Sequence, residues 1–281
     1  MKITFWGTRG SIASPGPETV LYGGNTTCLE VNLASGRTIV IDAGTGIRRL
    51  GDHLLATERY RNIHLLLTHV HWDHVLGFPF FGPLFRDGSH IVVDGCRRGL
   101  EGLKRVLSSN YVDGTWPIRF EDLKARIEPA QELRKGSVLF DDVLVEAHAI
   151  QHPQGGMGFK FVEDKRVFVF LTDNELLDRG WARTSFADFA KFCRGADLLV
   201  HDCQYASEEI EARRGWGHSD VESVARLAVE AEVKKLLLFH HDPWRDDRGV
   251  DVMVEGCAAI VHARSAGISV EGAREGSTEV L

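Results

Sequence analysis

LTHVHWDHVLGF occupies residues 67–78. His69, His71, Asp73 and His74 crowd into one turn directly after the apolar run of Leu65, Leu66 and Leu67. Imidazole and carboxylate together suit zinc or another divalent first-row metal. So many titratable groups in one turn repel each other or stay protonated unless a cation organises them. The apolar run itself, 62–68, reads as a buried strand. The cluster therefore sits in a loop at a strand's C-terminal end, where α/β folds place function.

Outward from this loop the same pattern recurs. Runs at 2–7, 28–33, 38–44 and 90–95 read as strands between Gly-rich turns. A second strand-rich block follows at 137–140, 143–150, 156–162, 166–173 and 196–202, with a last strand at 234–240. Helices are expected from Gly44 to about 56, at 98–108, at 219–232 and at about 250–265. The third carries Ser219 and Glu222 as a capping box. The stretch 110–135 fits neither pattern. Three more candidate ligands stand where apolar runs stop: His152 after VLVEAHAIQ, Asp173 after VFVFLT and His240 after KKLLLF. His241 competes with His240, because neighbours on an extended segment point opposite ways. His148 competes with His152 but lies inside its strand. Two β-rich blocks, each followed by helices and joined without a linker, suit a single domain over 1–281. Its class is α/β, with two packed sheets and helices outside.

Composition narrows the function. The 281 residues carry 43% apolar content and a formal net charge of −7. A long nucleic-acid footprint needs many Lys and Arg against phosphates, so it is disfavoured. No run approaches the ~20 apolar residues that span a membrane. MKITFWGTRG enters a strand directly, without the apolar segment of a signal peptide, so a cytoplasmic protein is expected. The five cysteines are scattered and form no CxxC pair, which suggests neither a disulfide framework nor a cysteine metal site.

The set His69, His71, Asp73, His74, His152, Asp173 and His240, with Ile41-Asp42-Ala43-Gly44-Thr45-Gly46 upstream, resembles the metallo-β-lactamase superfamily. The resemblance implies an αββα sandwich with the site at one edge. It implies two divalent metal ions, zinc first, with manganese or iron as alternatives. His69, His71 and His152 would hold one, Asp73, His74 and His240 the other, and Asp173 would bridge them. Asp42 would orient ligands rather than bind metal. Within the superfamily, Gly217-His218-Ser219 resembles the His-Ser-Thr motif of tRNase Z-like phosphodiesterases, with Asp220 in place of Thr. The strand end Leu198–Asp202 is similar to that branch's His-Glu strand end, and residues 7–28 to its Gly-rich entry segment. These imply His218 as the acid for the leaving oxygen, assisted by Asp202 or Asp73, and Arg9 and Ser219 as substrate contacts.

About twenty residues separate His152 from Asp173, which leaves no room for the long tRNA-gripping arm of many bacterial relatives. The reading at this level is a metal-dependent hydrolase that attacks a small phosphodiester with a metal-bridging hydroxide. The expected substrate is a cyclic nucleotide or short nucleotide. The alternatives are a thioester or lactone hydrolase and a tRNA 3′-processing endonuclease lacking the arm. A di-iron oxidoreductase would place Glu at position 71 and add a flavin domain; neither occurs. A non-catalytic module is disfavoured because every ligand position is filled. A homodimer is what the family leads one to expect.

Overall fold

The computed structural model describes residues 1–176, 184–264 and 267–281. The first sheet is built from β1 (Lys2–Gly7), β2 (Cys28–Asn32), β3 (Thr38–Ile41), β4 (Asn62–Leu67), β5 (His90–Gly95) and β6 (Arg126–Pro129). The second holds β7 (Ser137–Phe140), β8 (Val143–Ala149), β9 (Met157–Glu163), β10 (Arg166–Leu171), β11 (Leu198–Asp202), β12 (Lys235–Phe239) and β13 (Ser269–Gly272). A final strand, β14 (Thr278–Val280), returns to the first sheet. The orders are β14-β1-β2-β3-β4-β5-β6 and β13-β12-β11-β10-β9-β8-β7. Helices α1 (Ile47–Ala56), α2 (Trp72–Val75) and α3 (Gly99–Val112) accompany the first sheet. Helices α4 (Phe186–Cys193), α5 (Val221–Glu230) and α6 (Asp247–His262) accompany the second.

Alternation along the strands explains why both faces are covered. In β3, Ile39 and Ile41 point between the sheets while Val40 points to the layer of α1 and α3. In β4, Leu66 faces inward and Leu65 and Leu67 face outward. On the other side, Leu237 and Phe239 of β12 point inward, and Leu236 and Leu238 meet α5 and α6. A strand apolar on both faces reads as an unbroken hydrophobic run, which is the pattern that marked these segments. Between the sheets Phe161 stacks on Phe168, and Phe170 meets Phe239 edge-on at 5.3 Å. Each such buried side chain contributes about 1.5–3 kcal/mol relative to exposure.

The expected αββα arrangement is present, and several boundaries move. The cap of α5 is Asp220, not Ser219: the Asp220 carboxylate accepts from Glu222 N at 3.1 Å. The helix after β3 opens at Ile47, three residues later than expected. The last helix opens at Asp247, where Asp246 accepts from Gly249 N. Helix α4, held by a Ser185–Asp188 capping box, and strands β6, β13 and β14 are additions to the sequence reading. Among the described residues, no helix is long and apolar enough to cross a membrane.

Candidate metal centre

Strands β3, β4 and β5 run parallel, as do β10 through β13, and β8 shares the direction of β10 through two antiparallel pairings. Their C-terminal ends therefore open on one edge of the sandwich. Asp42, the 69–74 loop, His152, Asp173, Asp202 and His240 all follow or end these strands. Three of them, Asp42, Asp173 and His240, leave their strands in the left-handed region, with φ of 61°, 53° and 58°. Each such non-glycine residue costs about 1–3 kcal/mol, which the surrounding packing must offset. The reward is direction: the left-handed step turns His240 into the centre. His241 instead donates from Nε2 to Ala273 O at 2.9 Å, with burial pushing its pKa down to about 3.

The structure brings all seven candidate ligands together. His69, His71 and His152 form one group, and Asp73, His74, Asp173 and His240 the other, each with its ligand atoms within 4.8 Å of one another. Asp173 faces both. Its Oδ2 lies 3.6 Å from His69 Nε2 and 3.8 Å from His152 Nε2, and its Oδ1 lies 3.2 Å from His74 Nε2 and from His240 Nε2. Asp73 Oδ2 stands 3.3 Å from His74 Nε2 and 3.1 Å from His240 Nε2. Four ligands at bonds of about 2.0–2.1 Å around one ion are separated by about 3.3 Å, so these spacings match a coordination shell.

The partners behind the ligands fix which nitrogen faces inward. His74 donates from Nδ1 to Asp42 Oδ2 at 2.8 Å, and His152 from Nδ1 to Gly217 O at 3.0 Å. His240 donates from Nδ1 to Gln204 Oε1, and His71 from Nε2 to Gln154 Oε1. His69 Nδ1 donates to Thr68 Oγ1, whose own hydroxyl donates to Asp42 Oδ2. With those protons committed outward, His71 Nδ1 and His152 Nε2 are left 3.0 Å apart with two lone pairs facing. Among the described residues, the buried Nε2 atoms of His69 and His74 have no hydrogen-bond partner. Opposed lone pairs and orphaned nitrogens around a shared carboxylate fit divalent cations and leave the polypeptide alone unsatisfied.

Electrostatics agree. Burial holds His152 down to about 4, so it is neutral near pH 7 and ready to ligate. Burial would raise Asp173, but His240, His74 and His69 hold it well below the ordinary carboxylate range. Burial would lower His74, but Asp73, Asp173 and Asp42 lift it well above an ordinary histidine. Carboxylates gathered so closely call for positive charge, from protons or from a metal that displaces them.

His218 lies beside this centre, its ring nearly parallel to that of His240 at 5.0 Å. Asp202 Oδ2 accepts from His218 Nδ1 at 3.2 Å and from Ser219 N. Its Oδ1 accepts from Asn174 N. Burial opposes protonation of His218, but the hydrogen bond to Asp202 and the charges of Asp173, Asp202 and Asp73 outweigh it and raise its pKa. Close approach of backbone makes the assembly possible. A Cβ at Gly10 would sit 2.4 Å from His240 Nδ1, and one at Gly217, whose φ is +89°, 2.1 Å from His152 Nδ1.

Two expected substrate contacts are corrected. Arg9 is fully buried. Its guanidinium donates to the carbonyls of Gly23, Asp242 and Arg245, so it clamps loops and reaches no phosphate. Ser219 is 1% exposed. Its hydroxyl donates to Asn174 O and accepts from Leu176 N, so it ties the β10 loop to the entry of α5. Sequence reasoning missed Gln154 and Gln204, which hold the outward nitrogens of His71 and His240. Only proximity to His152 and Asp202 in the chain hints at them. Asp42 stands where the resemblance placed it, behind His74. His148, the discarded rival of His152, packs against Phe189 and Phe192.

Residues 37–241 match the family model described as the beta-lactamase superfamily domain. The ribonuclease Z of Haloarcula marismortui is 25% identical, with 85% of this chain and 86% of that protein covered. A diphosphatase of the PhnP family superposes with a TM-score of 0.68 at 17% identity, covering 100% of this chain and 97% of its own. Human tRNase Z, short form, superposes with a TM-score of 0.61 at 20% identity, covering 100% and 99%. With the family model spanning most of the chain and the candidate ligand set complete at the strand ends, the chain belongs to the metallo-β-lactamase superfamily.

Proposed function

We propose that this metal-dependent hydrolase binds two divalent cations, zinc first, and cleaves a phosphodiester bond in a ribonucleotide chain, with an RNA 3′ end as the leading substrate. The observation that carries the reading is Asp173, whose two oxygens face two separate sets of nitrogens, with His218 alongside. His69, His71 and His152 would hold one cation, and Asp73, His74 and His240 the other. Bound there, the pair would acidify a water and offset charge on the phosphoryl oxygens. His218, held by Asp202 in its Nδ1–H form, would present Nε2–H to the departing oxygen. Asp73 is kept ionised in this scheme by His74 and His240. It also accepts from Ser11 N at 2.8 Å, which fixes its orientation.

The short interval between His152 and Asp173, together with the acidic balance of the chain, favoured a cyclic nucleotide or short nucleotide. Relatives named ribonuclease Z, similar along most of their length, move the preference to an RNA chain. A short turn and the β9–β10 hairpin occupy the interval between His152 and Asp173, so any tRNA would be gripped without an arm there. The deciding experiment supplies Zn²⁺ or Mn²⁺ and compares 3′-extended tRNA, short oligoribonucleotides, 2′,3′- and 3′,5′-cyclic nucleotides, bis-p-nitrophenyl phosphate and thioesters. Turnover of RNA above the cyclic nucleotides is expected. Thioester hydrolysis without diester hydrolysis would overturn the reading.

A further inference from the structure

Two cavities open beside the ligands, and they differ in chemistry. One, about 480 Å³, is lined by His69, His71, Arg97, Arg98 and Gln154 among others. The Arg97 and Arg98 side chains are exposed, with no hydrogen-bond or ion-pair partner among the described residues. Among the described residues no carboxylate lines this cavity, which suits phosphate. The other, about 1020 Å³, is bordered by His218, Tyr205, Arg213, Trp216, Trp244 and Arg245 among others. Here the charges are already used. Arg245 pairs with Glu209 at 2.6 Å, and Arg213 lies over the Tyr205 ring at 5.1 Å and donates to Glu209 O. Asp242 accepts from Trp244 N, and Asp246 caps α6.

What this second cleft offers is aromatic surface. Trp216 is 60% exposed and Trp244 88% exposed, though each indole could bury a large area elsewhere. Both stand on loops fastened from beneath. The Glu175 carboxylate accepts from Gly215 N and Gly217 N on either side of Trp216. The Arg9 guanidinium takes the carbonyls of Asp242 and Arg245 on either side of Trp244. Rigid, presented indoles lower the ordering cost of binding a flat ring. Their cleft begins at His218, two residues from Trp216.

We propose that this cleft is a nucleobase subsite, in which Trp216 and Trp244 stack on the base of the nucleotide whose phosphate lies at the metal centre. The phosphates on the far side of that centre then fall to Arg97 and Arg98. The placement of the phosphate rests on the phosphodiesterase reading; the stacking of a base does not. Aromatic stacking is tolerant of base identity, so the subsite would accept any of the bases.

The test is tryptophan emission of the metal-loaded protein titrated with AMP and, in parallel, with ribose 5-phosphate, which carries the same phosphate and no base. AMP should quench emission and bind about fivefold or more tightly than ribose 5-phosphate. Trp216→Ala and Trp244→Ala should each erase most of that advantage, and Trp244→Phe should keep it. Equal affinity for the two ligands, or alanine variants that bind AMP like the wild type, would overturn the subsite. Emission that shifts with protein concentration alone, and not with AMP, would assign the indoles to contact between copies and overturn it as well. If diester hydrolysis fails while AMP still outbinds ribose 5-phosphate, the catalytic reading falls and the subsite stands.

Discussion

At the scale of single residues, the candidate ligands were readable because His69, His152, Asp173 and His240 follow apolar runs and His71, Asp73 and His74 crowd the turn after the first of them. What chain order could not convey was orientation. Alternation along the strand leaves His240 and His241 as rivals, the motif resemblance favours His240, and a left-handed φ of 58° turns it inward. Arg9 and Ser219 were misassigned for the complementary reason. Their polar groups meet backbone atoms brought in from 14 to 236 residues away, and no local pattern announces that. His218 is the residue whose role is most open to measurement. His218→Ala should keep its metal, checked by elemental analysis. It should lose about 10²–10⁴-fold in rate on diesters with poor leaving groups, and much less on p-nitrophenyl diesters, whose leaving group needs no proton. An equal loss on both would reassign it to positioning.

At the scale of elements, the strands were legible and their termini less so. Runs such as TIVI and KLLLF are apolar on both faces and stand out. SVEG and TEV are short, half-exposed edge strands that bury little, so composition did not separate them from loops. The α5 cap shifted by one residue because Ser219 was already engaged with Asn174 and Leu176. Arg9 locks the entry loop before β2, which it holds through the Gly23 carbonyl, to the loop after β12 through the carbonyls of Asp242 and Arg245. Truncation would leave those buried acceptors unmatched at about 1–3 kcal/mol each. Arg9→Ala should therefore lower the stability measured by urea unfolding by about 3 kcal/mol or more. The near-isosteric Arg9→Lys should recover only part of it, since one ammonium cannot reach every acceptor.

At the scale of the whole molecule, the two-layer core was implied by two blocks of buried strands, and the opposite edge of the sandwich supplies a titration to test it. His64 in β4 accepts from Arg37 Nη1 at 2.8 Å and packs edge-on against Phe140 of the other sheet. Burial first, then Arg37 and His90, pushes its pKa down to about 4. An unfolded histidine titrates near 6.5, so above that value both states are neutral and the native packing contributes in full. Between about 6.5 and 4 only the unfolded chain takes the proton, and stability falls with pH. Urea unfolding should register this decline, and His64→Phe should flatten it. A variant with an unaltered slope would show that other groups dominate.

The ligand loop after β4 belongs to the first sheet, while His152, Asp173 and His240 come from the second. Cations held there would therefore rivet both layers together, and folding and loading would become linked equilibria. Chelation should lower the melting temperature by several degrees and open the rim loops to proteases, as calorimetry and limited digestion would record. A cell starved of the metal would then lose the polypeptide itself to turnover, so ion supply would set its abundance as well as its activity.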